Sequence, residues 1–153
     1  MLFQSTKSFI YNGTQDEFID GIKELYPLGI PAVTYNLLGG VTKDNHFEIV
    51  NQKMTGWSGL GEVALLTGAT KQISDDATLV KIKCRSGFSI NMFTLLFFGI
   101  SLLLLINIAT SQKTIGFLLF TSACCLGTFV FSLQARKSLM NRFVTCFDLK
   151  PSY

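Results

Sequence analysis

The hydrophobic and polar positions of this chain change period several times, and each change marks an element. Phe3 to Tyr11 is rich in β-compatible residues and ends on the turn signal Asn12-Gly13, which predicts a strand. Thr14 stands three residues before Glu17, the spacing at which each side chain satisfies the other's free backbone N–H at a helix start. The helix expected there carries Phe18, Ile19, Ile22, Leu25 and Tyr26 on one stripe, with Asp16, Asp20, Lys23 and Glu24 elsewhere, so it has one face to bury. Pro27, Gly29 and Pro31 end it.

From Val33 the period shortens. Val41 to Lys43, the turn Asp44-Asn45 and His46 to Lys53 predict a hairpin. Met54 to Gly61 is a glycine-rich connection, Glu62 to Lys71 another strand, and Ser74-Asp75-Asp76 a turn. Thr78 to Arg85 alternates cleanly, with Val80, Ile82 and Cys84 on one face and Lys81, Lys83 and Arg85 on the other, which predicts a half-buried strand.

After that strand the polar positions stop. Ser86 to Gln112 holds no Asp, Glu, Lys or Arg in 27 residues, and Thr114 to Ala135 none in 22, with Lys113 alone between them. Two helices apolar on every face are stable in hydrocarbon, and a chain of 153 residues is too small to enclose them in a water-soluble core. Residues 88–109 and 115–133 are therefore expected to span a bilayer as an antiparallel hairpin, joined by a turn at Thr110 to Thr114. Gly116, Ser122, Ala123, Gly127 and Ser132 would allow the two helices close contact. Gln134 to Leu149 then places Met140, Phe143, Val144 and Phe147 on one face and Asn141, Arg142 and Asp148 away from it, an amphipathic helix continuing the second span, with Pro151 as its stop.

The predicted fold class is thus a membrane α+β protein: a two-span helical hairpin inserted into a small cytoplasmic domain of antiparallel sheet plus two amphipathic helices. Residues 1–86 form the first part of the domain, 87–134 the hairpin, and 135–153 a C-terminal helix packing back on the domain. No stretch near Met1 to Phe9 reads as a cleavable signal peptide.

Charge sets the orientation. The overall composition is 48% hydrophobic and 15% charged, with a net charge of +3, too modest to argue for nucleic acid. Its distribution is more telling: Lys81, Lys83 and Arg85 precede the first span, and Arg136, Lys137 and Arg142 follow the second, against Lys113 alone in the loop. Under the positive-inside tendency both termini are cytoplasmic, in what we read as a bacterial inner membrane. These six cations are the candidate contacts to lipid headgroups, and Trp57 joins them if it is an interfacial anchor rather than a core residue.

Candidate chemistry is scarce. His46 is the sole histidine, which excludes multi-histidine metal sites and leaves any imidazole base without a second imidazole. No framed nucleophile appears, and Gly56 to Gly61 lacks the lysine and the following helix that a phosphate loop needs. The four cysteines have no C-x-x-C spacing and are expected to stay reduced. Within the spans Asn91, Thr94, Ser101, Asn107, Thr121, Ser122 and Thr128 are polar, yet none is ionisable, so a proton or ion path is not expected and these groups should stitch helices together.

The expected function is non-catalytic: an accessory or assembly subunit of a larger membrane complex, with membrane lipids and other integral membrane proteins or its own copies as partners, and no cofactor, metal or nucleic acid. The alternative is a cytoplasmic-face binder of lipid or a small apolar ligand, held between the sheet and the last helix. The order strand, helix, strands and final helix resembles, in shorter form, the lipid-binding helix-grip folds.

Overall fold

The computed structural model describes residues 4–25, 35–43, 45–51, 64–106 and 112–152. In chain order the elements are β1 (Gln4–Asn12), α1 (Gln15–Lys23), β2 (Leu37–Lys43), β3 (His46–Asn51), β4 (Ala64–Ser74), β5 (Ala77–Ser86), α2 (Phe88–Ile106), α3 (Gln112–Cys146) and β6 (Lys150–Pro151). The six strands form one antiparallel sheet in the order β2-β3-β4-β5-β1-β6. Strands β2 to β5 are a meander, and β1 lies against β5, so α1 must cross from one side of the sheet to the other over one face.

Local chemistry accounts for the element ends. Thr14 caps α1 as its spacing with Glu17 predicts: the Glu17 N–H donates to Thr14 Oγ1 at 3.2 Å and the Thr14 N–H to Glu17 Oε2 at 2.9 Å. At the end of α3 the Leu149 N–H reaches back to the Val144 carbonyl at 3.0 Å and the Asp148 N–H to the Thr145 carbonyl at 3.4 Å. With Asp148 at φ 45° this is a Schellman closure, carrying an aspartate where glycine is usual. Replacing Asp148 with glycine should relieve the left-handed strain and raise stability by up to ~1 kcal/mol, readable as a higher midpoint in thermal unfolding. Beyond this turn Pro151 is more than a stop, because β6 pairs Lys150 with Ile10 and Pro151 with Phe9 at the sheet edge, where a proline's missing N–H does no harm.

The core lies on one face of the sheet. Val80, Ile82 and Cys84 of β5 point into it, as their alternation with Lys81 and Lys83 predicts, and meet Phe9, Phe47, Ile49 and Leu66. Both amphipathic helices cover this face, α1 with Phe18 and Ile22, followed by Leu25 just past its end, and the last turns of α3 with Leu139, Met140 and Phe143. Five rings meet at its centre: Phe18 lies 5.1 Å from Tyr11, 5.6 Å from Phe47 and 5.0 Å from Phe147 between centroids, while Phe47 stacks on Phe143 at 5.5 Å. Gly68 makes room for them, since a Cβ there would sit 2.2 Å from Phe47 Cζ.

Helix α3 is unbroken from Gln112 to Cys146, about 52 Å at 1.5 Å per residue. Its first half pairs with α2, and its second half lies on the sheet. Among the described residues one helix is long and apolar enough to cross a membrane, the stretch Ile115–Cys146 of α3, rather than the two expected. The apolar part of α2, Ile90–Ile106, is shorter, and residues 107–109 of the expected first span lie outside the described residues. Strand β2 starts earlier than expected, at Leu37 instead of Val41, and β4 runs on to Ser74 instead of Lys71, while Glu62 and Val63 of its expected start lie outside the described residues.

Candidate functional site

The place where the sheet meets the apolar hairpin is built from β5, α2 and α3. One residue, Gly87, separates Ser86 at the end of β5 from Phe88 at the start of α2, so the strand feeds directly into the helix. Alternate residues of a strand lie about 6.6 Å apart on one face, and four residues of helix rise about 6 Å. That match lets two β5 residues meet two α3 residues in step: Ser86 Oγ bonds Ser132 Oγ, and Cys84 Sγ donates to the Arg136 carbonyl at 3.8 Å. Strand β5 therefore runs alongside α3 and antiparallel to it. Asn91, one turn into α2, donates from Nδ2 to the Ser86 carbonyl at 3.4 Å, while its buried Oδ1 has no hydrogen-bond partner among the described residues.

The contact continues down the hairpin at heptad spacing. Thr94 Oγ1 donates to Thr128 Oγ1 at 3.2 Å, and seven residues along α2, Ser101 Oγ donates to Thr121 Oγ1 at 2.9 Å. Cys125 Sγ donates to the Thr94 carbonyl at 3.7 Å. Thr121, Cys125, Thr128 and Ser132 fall at steps of four, three and four, and the same seam continues through Ala135 to Leu139 and Phe143. A seam repeating every 3.5 residues keeps facing its partner along a long helix. Of the small residues expected to allow close helix contact, Ser132 lies buried on the seam, whereas Gly116 and Gly127 have nothing within 4 Å of a Cβ and Ser122 and Ala123 are exposed. Of the expected polar stitches, Asn91, Thr94, Ser101, Thr121 and Thr128 do bond across or beside the seam, and Asn107 lies outside the described residues.

Five of the six candidate cations fall into two groups, and the sixth stands apart. Lys81 and Lys83 are exposed on the face of the sheet opposite the core, and Arg85 joins them half-buried, 3.9 Å from Glu48. Arg136 and Lys137 sit on α3 within two turns of Ser132, at the hairpin end of the sheet. Arg142 is separate from both: it is a further turn and a half along α3 and donates to the Tyr35 and Asn36 carbonyls at 3.4 Å each, and burial lowers its pKa. Trp57 lies outside the described residues. His46 is exposed at the start of β3.

All four cysteines are free thiols. Burial pushes the Cys84 thiol up to about 11, with Arg136 opposing it, and burial raises Cys146 to about 11 as well. Since the folded values lie above the ordinary 9.0, the unfolded chain ionises first, so stability from these groups is intact below about pH 9 and falls as pH rises toward 11. The alkaline loss of melting temperature should therefore be shallower in Cys84→Ala than in the parent. At pH 7 the Cys84 thiolate fraction is about one in ten thousand, so alkylation of the folded protein should be slow and should speed up on unfolding.

Signals for the seam are present in the sequence as hydroxyls and thiols recurring at steps of three and four through the second apolar stretch, and at a step of seven between Thr94 and Ser101 in the first, and Gly68 inside a strand marks a close approach. Comparison with protein-family models, with curated proteins and with solved structures gives no match for this chain.

Proposed function

We propose that this chain is a two-span integral membrane protein that works without catalysis, as an accessory or assembly subunit presenting its sheet domain to membrane partners on the cytoplasmic side. One observation carries the reading. The apolar halves of α2 and α3 expose large side chains on every side except their shared seam, with Phe88 79%, Ile106 71%, Leu119 66% and Leu126 65% exposed. A rod of that kind is far larger than the apolar patches a water-soluble protein leaves open. In lipid it is solvated, and α2 as described would cover about 28 Å of the roughly 30 Å hydrocarbon core.

The seam fits the same solvent. Lipid tails are as apolar as leucine, so helices there are held by packing and by hydrogen bonds worth about 0.6 kcal/mol each, and the seam is hydroxyl and thiol between Ser86 and Thr121. Where α3 leaves the hairpin for the sheet it becomes Leu139 and Phe143, as contact in water requires. Arg136 and Lys137 stand at that transition, the position the positive-inside tendency assigns to the cytoplasmic edge. Because α3 is continuous and β5 passes into α2 through a single residue, the domain is held at a set angle to the bilayer, which suits a protein that positions partners.

Between the two readings, the packed rings of Phe18, Phe47 and Phe143 favour the assembly role, because they occupy the space between sheet and last helix where a lipid would sit. Extraction of the full chain in mild detergent, followed by mass measurement and identification of what co-purifies, tests the role. Recovery with protein partners or further copies is the expected result, and a lone monomer carrying a stoichiometric lipid would favour the ligand-binding alternative instead. Labelling of Lys113 from the cytosolic side in intact cells would overturn the orientation.

A further inference from the structure

Strand β6 covers only part of the outer edge of β1. It pairs at Phe9 and Ile10, and the Ser152 N–H reaches the Ser8 carbonyl at 3.1 Å. Gln4 to Lys7 pair with β5 alone among the described residues, and all of them are exposed. Successive residues of an antiparallel strand turn their backbone N–H and C=O to opposite sides. Because the Ser8 carbonyl points outward to Ser152, the N–H and C=O of Thr6 and of Gln4 point outward as well, and no strand among the described residues meets them.

The strands around this opening carry charge of one sign. β1, β5 and β6 hold Lys7, Lys81, Lys83, Arg85 and Lys150 and no Asp or Glu. These lysines are exposed and make no ion pair among the described residues, and Arg85 reaches only Glu48 of β3, at 3.9 Å. Cross-strand pairing sets Arg85 beside Gln4, Lys83 beside Thr6 and Lys81 beside Ser8, so the cations of β5 share a face with the residues whose backbone points outward. Lys150, paired with Ile10, belongs to the same face.

We propose that the open edge from Gln4 to Lys7 is a strand-addition site for an extended acidic segment of a membrane partner, which pairs antiparallel to β1 in line with β6. This deepens the assembly reading above and rests on it for the existence of a partner. The backbone groups of Gln4 and Thr6 supply the pairing, and the cations select the partner. An added strand would lie two strand spacings from β5, about 9.6 Å, and only the short side chains of Thr6 and Ser8 stand between. Lys81 and Lys83 can therefore reach over them toward carboxylates on alternate residues of the segment. Direction supports a membrane partner. Gln4 pairs with Arg85, beside the hairpin, so β1 runs away from the bilayer and a segment antiparallel to it runs toward the bilayer, as a chain about to enter a span does. A second copy fits this edge less well. Two copies of β1 pairing antiparallel are related by a two-fold axis perpendicular to the sheet, which points their hairpins in opposite directions, whereas copies in one membrane share an orientation. Their lysines would also meet lysines, the usual guard of an edge strand against its own kind.

The test uses the full chain in mild detergent and two capped, fluorescent peptides, one of four Thr-Glu repeats and one of four Thr-Lys repeats, with binding read by anisotropy. The Thr-Glu peptide is expected to bind the parent at least about tenfold more tightly than the Thr-Lys peptide, and to weaken by about tenfold or more as salt rises from 50 to 500 mM. Thr6→Pro removes one outward N–H and leaves the pairing with β5 in place, so it should cost the Thr-Glu peptide about tenfold in affinity at an unchanged thermal transition. Lys81→Glu with Lys83→Glu, at two exposed positions, should reverse the preference toward the Thr-Lys peptide, and this variant decides the matter if the proline variant unfolds. Equal binding of the two peptides by the parent would overturn the proposal. So would binding that is lost in the lysine variant yet intact in a folded Thr6→Pro, since that outcome assigns the cations to a charge contact without strand addition. Displacement of the peptide by vesicles of phosphatidylserine but not of phosphatidylcholine would overturn it in favour of lipid headgroups. A parent that binds neither peptide and still co-purifies with another membrane protein removes this edge alone and leaves the accessory role standing.

Discussion

Replacing Phe143 with alanine is expected to open the sheet domain while the hairpin stays helical. Phe143 is fully buried and holds the end of α3 to the sheet through its stack on Phe47, its edge contact with Phe18 and its packing against Phe147. Truncating a buried phenylalanine costs about 3–5 kcal/mol, because the transfer energy is lost and the cavity is only partly filled by relaxation. That is most of the ~5–10 kcal/mol by which a domain of this size is stable. The hairpin loses nothing directly, since its seam from Ser132 to Thr121 does not involve this ring. Near-ultraviolet circular dichroism in detergent should therefore collapse at a temperature where far-ultraviolet helix signal is largely kept. Phe117→Ala, at a residue 55% exposed, serves as the contrast and should leave the domain's transition in place. Simultaneous loss of both signals in Phe143→Ala would show that hairpin and domain unfold as one unit.

Ala135→Pro is the second large effect, and it acts on the connection between the parts. Residue 135 lies between Ser132 and Arg136, the two α3 positions to which Ser86 and Cys84 are bonded. A proline there removes the N–H that bonds the carbonyl of residue 131 and drives its ring into that carbonyl, at a cost of about 3 kcal/mol or more. The kink would pull Ser132 and Arg136 out of step with β5, so that both contacts cannot form together. Limited trypsin digestion reads this directly, because Arg136 and Lys137 are the nearest cleavage sites and are held in unbroken helix in the parent. Cleavage there should be at least about tenfold faster in the variant, as expected when local opening becomes that much more frequent. Equal rates would mean that the helix at the junction is already open in the parent.

How much of this was legible beforehand depends on how local the cause is. The cap of α1 depends on Thr14 and Glu17 alone, and the alternation of β5 on the two faces of one strand, so each is written in a few neighbouring residues. The charge-free stretches are likewise a property of composition. Strand β6 is not legible in the sequence because Lys150 and Pro151 alone carry no pattern, and only the position of β1 beside them makes pairing possible. The core role of Leu139 was missed for a related reason: it falls on the border between the stripe of the last helix and the apolar run before it, and the sheet decides which side it faces. Size alone points to Gly116 and Gly127 for the helix contact, yet α3 turns its hydroxyl seam to α2, where hydrogen bonds add to packing.

The sequence by itself determined what each segment needs around it: hydrocarbon or a partner for two stretches without charge, a sheet for two helices with single apolar stripes, and water for the cations between them. Those needs follow from transfer energies of side chains, which neighbouring residues set without reference to the fold. Only the tertiary structure decided which groups meet. Ser86 with Ser132, Cys84 with the Arg136 carbonyl and Phe47 over Gly68 all join residues far apart in the chain. Such pairings depend on strand order and on the rotation of α3 about its axis, and those are fixed by how the whole set of faces packs together rather than by any one segment.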